Sequence, residues 1–343
     1  MMLAPMEGIN RQLTLVRRPG GLVEADDFAL VTTPVPTPAE GEAVIRTVYL
    51  SIDPTVRTWI SEARSYFPPV QLGEVVRCPG VGVVVETAGE GFAIGDPVYT
   101  LTGWQDYAIV RDDLFSTRLP RGTNLAAALG VLGNNGITAY IGTIEVARVE
   151  AGETFVVSAA AGATGSIAGQ IAKLRGARVV GIAGRDDKCA WVVDGLGFDA
   201  CVNHRAPDFV EQLRATTPNR VDAYFDNVGG PVLDAVLKRL APHGRVALCG
   251  AIAVYNAEHK PPGPANYLEL ITQRGTMTGF NTFDHWDRFG AITDELAAWM
   301  AEGRLVHREH VVEGLEQAPE ALNMLFTGEN LGKLVVAVSD PPG

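Results

Sequence analysis

The densest chemistry lies where the apolar run Thr154-Phe155-Val156-Val157-Ser158 leads into Ala159-Ala160-Ala161-Gly162-Ala163-Thr164-Gly165-Ser166. The spacing is Gly-x-Gly-x-x-Gly, with Ala160 in the first glycine position. The run before it predicts a buried strand, and Gly165–Leu174 after it predicts a helix. In that setting Gly162 lets backbone approach an anion, and Gly165 lets the helix pack close to the strand. The helix N-terminus adds unpaired amides and the positive end of the dipole. A pyrophosphate, and so a dinucleotide, is the ligand this arrangement suits. The alternative is a tight strand–helix turn with no ligand.

A dinucleotide site of this kind is completed about 20 residues on, where an acid at a strand end binds the ribose 2′-hydroxyl of NAD. Here the strand Arg178–Ala183 ends in Gly184-Arg185-Asp186-Asp187-Lys188. A small residue at the strand end with Arg185 and Lys188 nearby suits a 2′-phosphate, hence NADPH. Asp186 and Asp187 then serve the first turn of the following helix through its dipole. The competing reading of Arg185 and Lys188 is a solvated helix face. Further on, Phe225-Asp226-Asn227 ends another strand, and ligands in parallel sheets sit at carboxyl ends of strands. Asn227 is thus a candidate ribose or nicotinamide contact, or else the cap of the next helix.

These residues must be held by something, and the pattern along the chain shows what. Up to about residue 122, short strand-like runs recur between turn residues: Leu13–Arg17, Ala43–Leu50, Gly80–Glu86, Asp96–Thr100 and Tyr107–Val110. This predicts an all-β module of barrel or sandwich type. From Asn124 the pattern changes. Helical stretches Leu125–Leu132 and Ile137–Ile144 precede alternating strands and helices. That alternation predicts an α/β domain with a doubly wound parallel sheet. A Pro/Gly-rich segment, Ala251–Pro264, interrupts it. A longer helix, Phe283–Gly303, follows, and the tail from His307 returns to complete the first module. The expected domains are residues 1–123 with 304–343, and residues 124–303.

Composition narrows the function. Of 343 residues, 28 are basic and 40 acidic, a net charge of −12. General electrostatics therefore oppose binding to nucleic acid or to an anionic membrane. The four cysteines form no Cys-x-x-Cys pair and read as reduced thiols of a cytoplasmic protein. Met1–Asn10 lacks the pattern of a signal peptide, no apolar run reaches 18 residues, and the end at Ser339–Gly343 carries no prenylation box.

Several further stretches carry a family resemblance. They are Tyr49-Leu50-Ser51-Ile52-Asp53-Pro54 with Arg57, Gly95-Asp96-Pro97-Val98, Gly136–Tyr140, Ala159–Gly165, Phe225–Gly230, Cys249-Gly250-Ala251-Ile252 with Tyr255-Asn256, and Gly328–Lys333. Over almost the whole chain the sequence resembles the zinc-independent medium-chain dehydrogenase/reductases. It is most similar to their branch of prostaglandin, alkenal double-bond and curcumin reductases. The resemblance implies a GroES-like β domain beside a Rossmann domain, an active site in the cleft between them, NADPH as cofactor, and a homodimer. The implied activity is reduction of a carbon–carbon double bond conjugated to a carbonyl. Position by position, it implies that Gly162, Ala163, Thr164, Gly165 and Ser166 hold the pyrophosphate. Lys188 would meet the 2′-phosphate, beside the Gly184 and Arg185 of the strand-end reading, and His204 falls at a phosphate- or adenine-side contact. Asn227, Cys249, Gly250, Ala251, Ile252, Phe280, Asn281, Thr282 and Asn330 would contact the cofactor. The sequence departs from the family at His204, where Tyr is common and Arg205 could compensate. It departs also at Thr55, where Tyr is common after Asp-Pro, and at Asn134-Asn135, where Met-Pro is common. Tyr49, Thr55 and Tyr255 are the expected substrate-pocket residues.

Zinc is not expected. Only Cys78 lies in the first module, and all six histidines follow the nucleotide motif, so the three or four ligands of a zinc site do not assemble. Without a Lewis acid, conjugate reduction requires a hydrogen-bond donor at the oxygen where enolate charge develops. Tyr255, on the loop after the strand Arg245–Cys249, is the candidate donor; the alternative is a Tyr that merely anchors its loop. Asp53 and Arg57 read as a structural pair, and Tyr255–Pro264 as a candidate lid. Two other functions remain open: a quinone reductase of the same fold, and an NADPH-binding protein without catalysis.

Overall fold

The fold was read from a computed structural model, in which residues 8–62, 65–257, 259 and 261–340 are described. Most of Met1–Asn10, the last three residues of Ser339–Gly343, and Glu258 and Lys260 of the candidate lid lie outside the described residues.

The chain begins with strands β1 (Ile9–Leu15), β2 (Phe28–Pro34), β3 (Ala43–Ser51), β4 (Gly80–Thr87), β5 (Pro97–Thr100), β6 (Tyr107–Val110) and β7 (Thr117–Arg118). Two short helices, α1 (Thr55–Trp59) and α2 (Leu125–Leu129), accompany them. Then α3 (Asn134–Tyr140), β8 (Thr154–Ser158), α4 (Ala163–Leu174), β9 (Arg178–Ala183), α5 (Asp186–Leu196) and β10 (Ala200–Asn203) follow in turn. The alternation continues with α6 (Phe209–Thr216), β11 (Val221–Asp226), α7 (Gly230–Leu237), β12 (Leu240–Leu248), α8 (Glu269–Gln273), β13 (Thr276–Gly279) and α9 (Phe289–Ala301). The tail supplies β14 (Glu309–Glu313), α10 (Ala318–Thr327) and β15 (Lys333–Ala337).

The chain divides into two compact units. One gathers the residues up to Leu129 with Glu309–Asn330 and those from Leu334 onward; the other is Gly130–Arg308 with Leu331–Lys333. The first unit holds a two-stranded antiparallel sheet, β1-β2, and a seven-stranded sheet in which β14-β15-β3-β4-β5-β7 are neighbours and β6 pairs with β3. Its core joins distant parts of the chain. Leu15, Leu50, Ile52 and Trp104 pack with Leu322 of α10 and with Leu334 and Val336 of β15, all nearly or fully buried. Burying a side chain of this size contributes about 1.5–3 kcal/mol.

The second unit is a six-stranded sheet in the order β10-β9-β8-β11-β12-β13, and its ladders are parallel. That is the doubly wound order of a Rossmann fold, with its switch point between β8 and β11. The sequence dictates it simply. All five residues of β8 are buried, as are five of the six in β9, so these strands need cover on both faces. The expected α/β class and parallel sheet are therefore what the chain forms. Three local expectations change. The strand β2 was not anticipated. The stretch expected as one helix over Phe283–Gly303 is a 3-10 segment, Thr282–Arg288, that kinks at His285 before α9 begins. The second helical stretch, expected over Ile137–Ile144, begins earlier: Asn134 and Asn135 form the first turn of α3, which runs on as a π-helical segment over Ile141–Val146.

Candidate functional site

The glycine-rich turn sits at the switch point. Gly162 is the extended residue before α4, and Ala159 turns the chain with φ of 50°. Gly162, Ala163 and Thr164 are half-exposed, while Gly165 and Ser166 are buried. A Cβ on Gly165 would stand 2.3 Å from the Ala159 carbonyl oxygen, so only glycine allows helix and turn to meet. The hydroxyl of Ser166 donates to the Ala163 carbonyl at 3.2 Å. Outside the motif, Asn135 Nδ2 donates to Thr164 Oγ1 at 3.2 Å. On the inner side, Gln170 of α4 clamps Val306, its Nε2 donating to that residue's carbonyl and its Oε1 accepting from its amide.

A cluster of basic side chains stands at the end of β9. Arg185 precedes α5 and pairs with Asp187 at 2.7 Å. Lys188 is buried at 7 % exposure. Burial, then the like charges of Arg185 and Arg205, push the Lys188 ammonium down to about 8 against the partial opposition of Asp187. His204 is half-buried, and burial followed by Arg205 lowers its pKa, so it is neutral at pH 7. Two of these groups, His204 and Arg205, stand against Gly184. A Cβ there would lie 3.1 Å from His204 Nε2 and 3.5 Å from Arg205 Nε. A side chain at the strand end would therefore press on His204 and Arg205, which the small residue leaves undisturbed.

Across the switch point, Asp226 ends β11 fully buried. Its Oδ1 accepts from the Ser158 hydroxyl at 3.0 Å, the Tyr224 hydroxyl at 2.6 Å, and the amides of Val228 and Gly229. The Ser158 hydroxyl oxygen in turn accepts the Asn227 amide at 2.9 Å, and Asn227 Nδ2 donates to the Ser158 carbonyl at 2.8 Å. Gly229, not Asn227, caps α7, so the capping reading of Asn227 falls away. The same corner holds the next loop: the amides of Cys249 and Gly250 donate to the Asp226 carbonyl, and that of Ile252 to the Asn227 carbonyl. Cys249 is driven up to about 12 by burial and by Asp226, so its thiol is protonated.

Tyr255 closes this loop on itself. Its hydroxyl oxygen accepts the Ala251 amide at 3.0 Å. A Cβ on Gly250 would come within 3.2 Å of that hydroxyl. Tyr255 therefore is a loop anchor, and its O–H remains as a donor. Burial raises its pKa above the ordinary phenol value, which keeps the proton in place. Sequence reasoning missed Ser158 and Asp226 as the parts that hold Asn227 and this loop; both were in view only as strand residues.

The comparisons with known proteins bear on this geometry. A family model for the N-terminal domain of oxidoreductases matches residues 11–117, and one for zinc-binding dehydrogenases matches residues 163–298. The chain is 40% identical over 335 residues to the NADPH-dependent curcumin reductase of Escherichia coli, covering 96% of this chain and 97% of that one. It is 37% identical over 337 residues to the NADP(+)-dependent 2-alkenal reductase of Nicotiana tabacum, covering 96% and 98%. The solved structure of CurA from Vibrio vulnificus in complex with NADPH superposes with a TM-score of 0.92 at 43% identity, covering 96% and 100%. The chain belongs to the medium-chain dehydrogenase/reductases, in their zinc-independent branch.

In this medium-chain dehydrogenase/reductase the remaining expected residues are placed as follows. Phe280 packs edge-on against Phe225, with ring centroids 6.1 Å apart. Asn281 caps the 3-10 segment by accepting the Phe283 amide, and buried Thr282 donates its hydroxyl to Asn134 Oδ1 at 3.0 Å. The two family departures Asn134 and Asn135 thus bind Thr282 and Thr164, two expected cofactor residues. In the first unit, Tyr49 lies in β3, half-buried against Val48, Val81 and Val335. Thr55 opens α1 half-exposed, its carbonyl accepting the Thr58 hydroxyl. Asn330 is buried. Arg57 is buried too and donates to the carbonyls of Gly21 and Pro19, while Asp53 accepts the Ser51 hydroxyl, so the expected Asp53–Arg57 pair is replaced by these bonds. Among the described residues, no group of three or more His, Cys, Asp or Glu side chains could hold a metal ion, and no helix is long and apolar enough to cross a membrane.

Proposed function

We propose that the protein is an NADPH-dependent reductase of carbon–carbon double bonds conjugated to a carbonyl, acting on small hydrophobic enones and enals. The fit to the cofactor rests on the donors around Gly184. His204 and Arg205 stand where a Cβ on Gly184 would press, Arg185 and Arg205 act on Lys188, and Lys188 lacks enough negative charge to hold its ordinary pKa. A 2′-phosphate supplies that charge. Gly162, Ala163, Thr164 and Gly165 offer the α4 N-terminus to a pyrophosphate. The names of the relatives, a curcumin reductase and a 2-alkenal reductase, point to the same cofactor and to the same class of substrate.

When bound, NADPH supplies the hydride that goes to the β-carbon of the alkene. The chain's own task is to stabilise the charge that develops on the carbonyl oxygen. The observation that carries this reading is the Tyr255 hydroxyl, fixed by the Ala251 amide and still holding its proton. Accepting one bond and donating another makes it a neutral, pre-oriented donor to an enolate oxygen. Asn227, held by Ser158, orients the ribose–nicotinamide side from the carboxyl end of β11. Contact with substrate by Tyr49 and Thr55, and with cofactor by Asn330, is assigned on the family resemblance alone. We assign substrate handling to residues 1–123 with 304–343 and cofactor binding to 124–303. We take the working form to be a cytoplasmic homodimer.

The test is NADPH consumption, followed by its absorbance, with a medium-length aliphatic enone, the matching saturated ketone and a quinone, and with NADH in parallel. Consumption with the enone but not the ketone, and a preference for NADPH, is the expected result. Consumption with the quinone alone, or tight NADPH binding without turnover of any compound, would overturn the reading.

A further inference from the structure

Two cysteines beside the basic cluster take no part in the proposed reaction. Cys189 is the fourth residue of α5, and Cys201 the second of β10. Their sulfurs are 2.9 Å apart, with the Cys201 thiol donating to Cys189. Both residues are half-buried, and β10 is an edge strand of its sheet, so a small reagent can reach them. The close approach is built into the sheet. Cys201 lies in register with Gly181 of β9, where a Cβ would come within 3.1 Å of its sulfur, 3.0 Å of Val192 and 2.9 Å of Ala160. The absent side chain gives the Cys201 thiol the room to lean toward α5.

We propose that Cys189 and Cys201 are an oxidation site that hydroperoxides convert to an intramolecular disulfide. The chain contributes both sulfurs and the hydroperoxide is the oxidant. The Cys189 thiolate attacks one oxygen of the O–O bond, which breaks. The other oxygen leaves with its electron pair and takes a proton, giving an alcohol or water, and Cys189 becomes a sulfenic acid. The Cys201 sulfur then attacks Cys189, the S–O bond breaks, and the hydroxyl leaves as water with the proton from Cys201. Two thiols lose two electrons and two protons in all, and one hydroperoxide is reduced.

The pair has an inherent order. Accepting a hydrogen bond from Cys201 lowers the Cys189 pKa, against burial and the nearby Asp186 and Asp187. Donating that bond, with burial, raises Cys201. Cys189 is therefore the attacking sulfur and Cys201 the resolving one. Closing the bond to about 2.05 Å shortens the separation by less than about 1 Å, a side-chain adjustment. The bond ties α5, just after Lys188, to β10, just before His204. Cytoplasmic disulfides are typically transient and redox-sensing, which suits such a position. The inference stands apart from the proposed activity, because nothing in it requires turnover.

The experiment treats the full chain with hydrogen peroxide, counts thiols after denaturation, and maps peptides by mass. The expected result is a fall from the four thiols of the sequence to two. The crosslinked peptide carries Cys189 and Cys201, is lighter by about 2 Da, and is restored by dithiothreitol. Cys78→Ser, which changes a buried residue of the other unit, keeps the crosslink. Cys201→Ser loses it and accumulates oxygen adducts on Cys189, and Cys189→Ser loses both products. Thermal melts of each variant establish that it is folded. Four thiols remaining in the treated wild type, or a crosslink that involves Cys78, Cys249 or a second chain, would overturn the proposal.

Discussion

A single lysine shows how a residue's surroundings declare its ligand. Lys188 titrates near 8 because burial and two arginines disfavour its charge. A dianionic 2′-phosphate reverses that balance and raises the lysine pKa, so binding above pH 8 must take up a proton. NADPH affinity is therefore highest between the second pKa of the phosphate, about 6, and pH 8, and falls as the pH rises through 8, by up to about tenfold per unit. NADH, which lacks the phosphate, shows no such slope; titrations of both cofactors between pH 6 and 10 make the comparison. Losing the charged contact in Lys188→Ala costs about 1.5–3 kcal/mol, or about 10–100-fold in NADPH affinity, and leaves NADH binding unchanged. Equal losses for both cofactors would refute the assignment. Tyr255→Phe tests the other end of the site. The expected loss is about a hundredfold in kcat, with NADPH affinity kept. The Ala251 amide also loses its acceptor, which costs about 1 kcal/mol of stability seen in a thermal melt. Full turnover by this variant would end the donor role. Lys188 was legible in the sequence because its distance from the glycine motif is fixed by one β-α-β step. That Tyr255 turns back onto its own loop was not, because a loop's path is not encoded in a residue spacing.

Among the elements, the junction of β8 with α4 carries the most function for its length. A methyl group on Gly165 meets the Ala159 carbonyl, and neither helix nor strand can yield, since both are buried. Gly165→Ala is expected to lower stability by about 1–3 kcal/mol. It weakens NADPH and NADH together, because the pyrophosphate is common to both; calorimetric titration separates this pattern from the NADPH-selective loss of Lys188→Ala. Elements with buried apolar runs were readable to the residue: Thr154–Ser158 and Arg178–Ala183 form where expected, and so does the alternately buried Tyr107–Val110. The missed strand, Phe28–Pro34, alternates after buried Phe28 between half-buried and exposed positions and, among the described residues, pairs only with β1. Its edge-like pattern gave no continuous apolar signal. The boundary between α7 and β12 is hidden in the same way: the helix ends at Leu237 and Leu240 already begins the strand. Leu240 is wholly buried, so an apolar residue suits either element and periodicity cannot choose. The Asp226 network was invisible for a related reason: Ser158 and Asp226 are 68 residues apart and meet only because β8 and β11 are neighbours in the sheet.

At the scale of the whole molecule, an acidic chain must bind an acidic cofactor. With a net charge of −12 there is no general attraction, so in the proposed site the phosphates would depend on the α4 amides and on the local cations Arg185, Lys188 and Arg205. The opposite edge of the Rossmann sheet bears on assembly. That sheet ends in β13, whose outer edge has no strand beside it among the described residues, and three of its four residues are exposed. An open strand edge is a template for pairing, and proteins that are not aggregating either blunt it or use it. Here the approach to β13 carries Tyr267, Leu268 and Ile271, exposed at 55%, 55% and 74%, where a blunted edge would carry charge. The expected dimer joins two copies antiparallel at β13 about a twofold axis, so that each apolar patch meets its equivalent. Light scattering coupled to size exclusion should give twice the chain mass for the wild type. The double change Leu268→Asp and Ile271→Asp places like charges across that axis and should give monomers that keep the fold and NADPH binding. A monomeric wild type at micromolar concentration, or a dimer indifferent to these two changes, would rule out β13 as the seam.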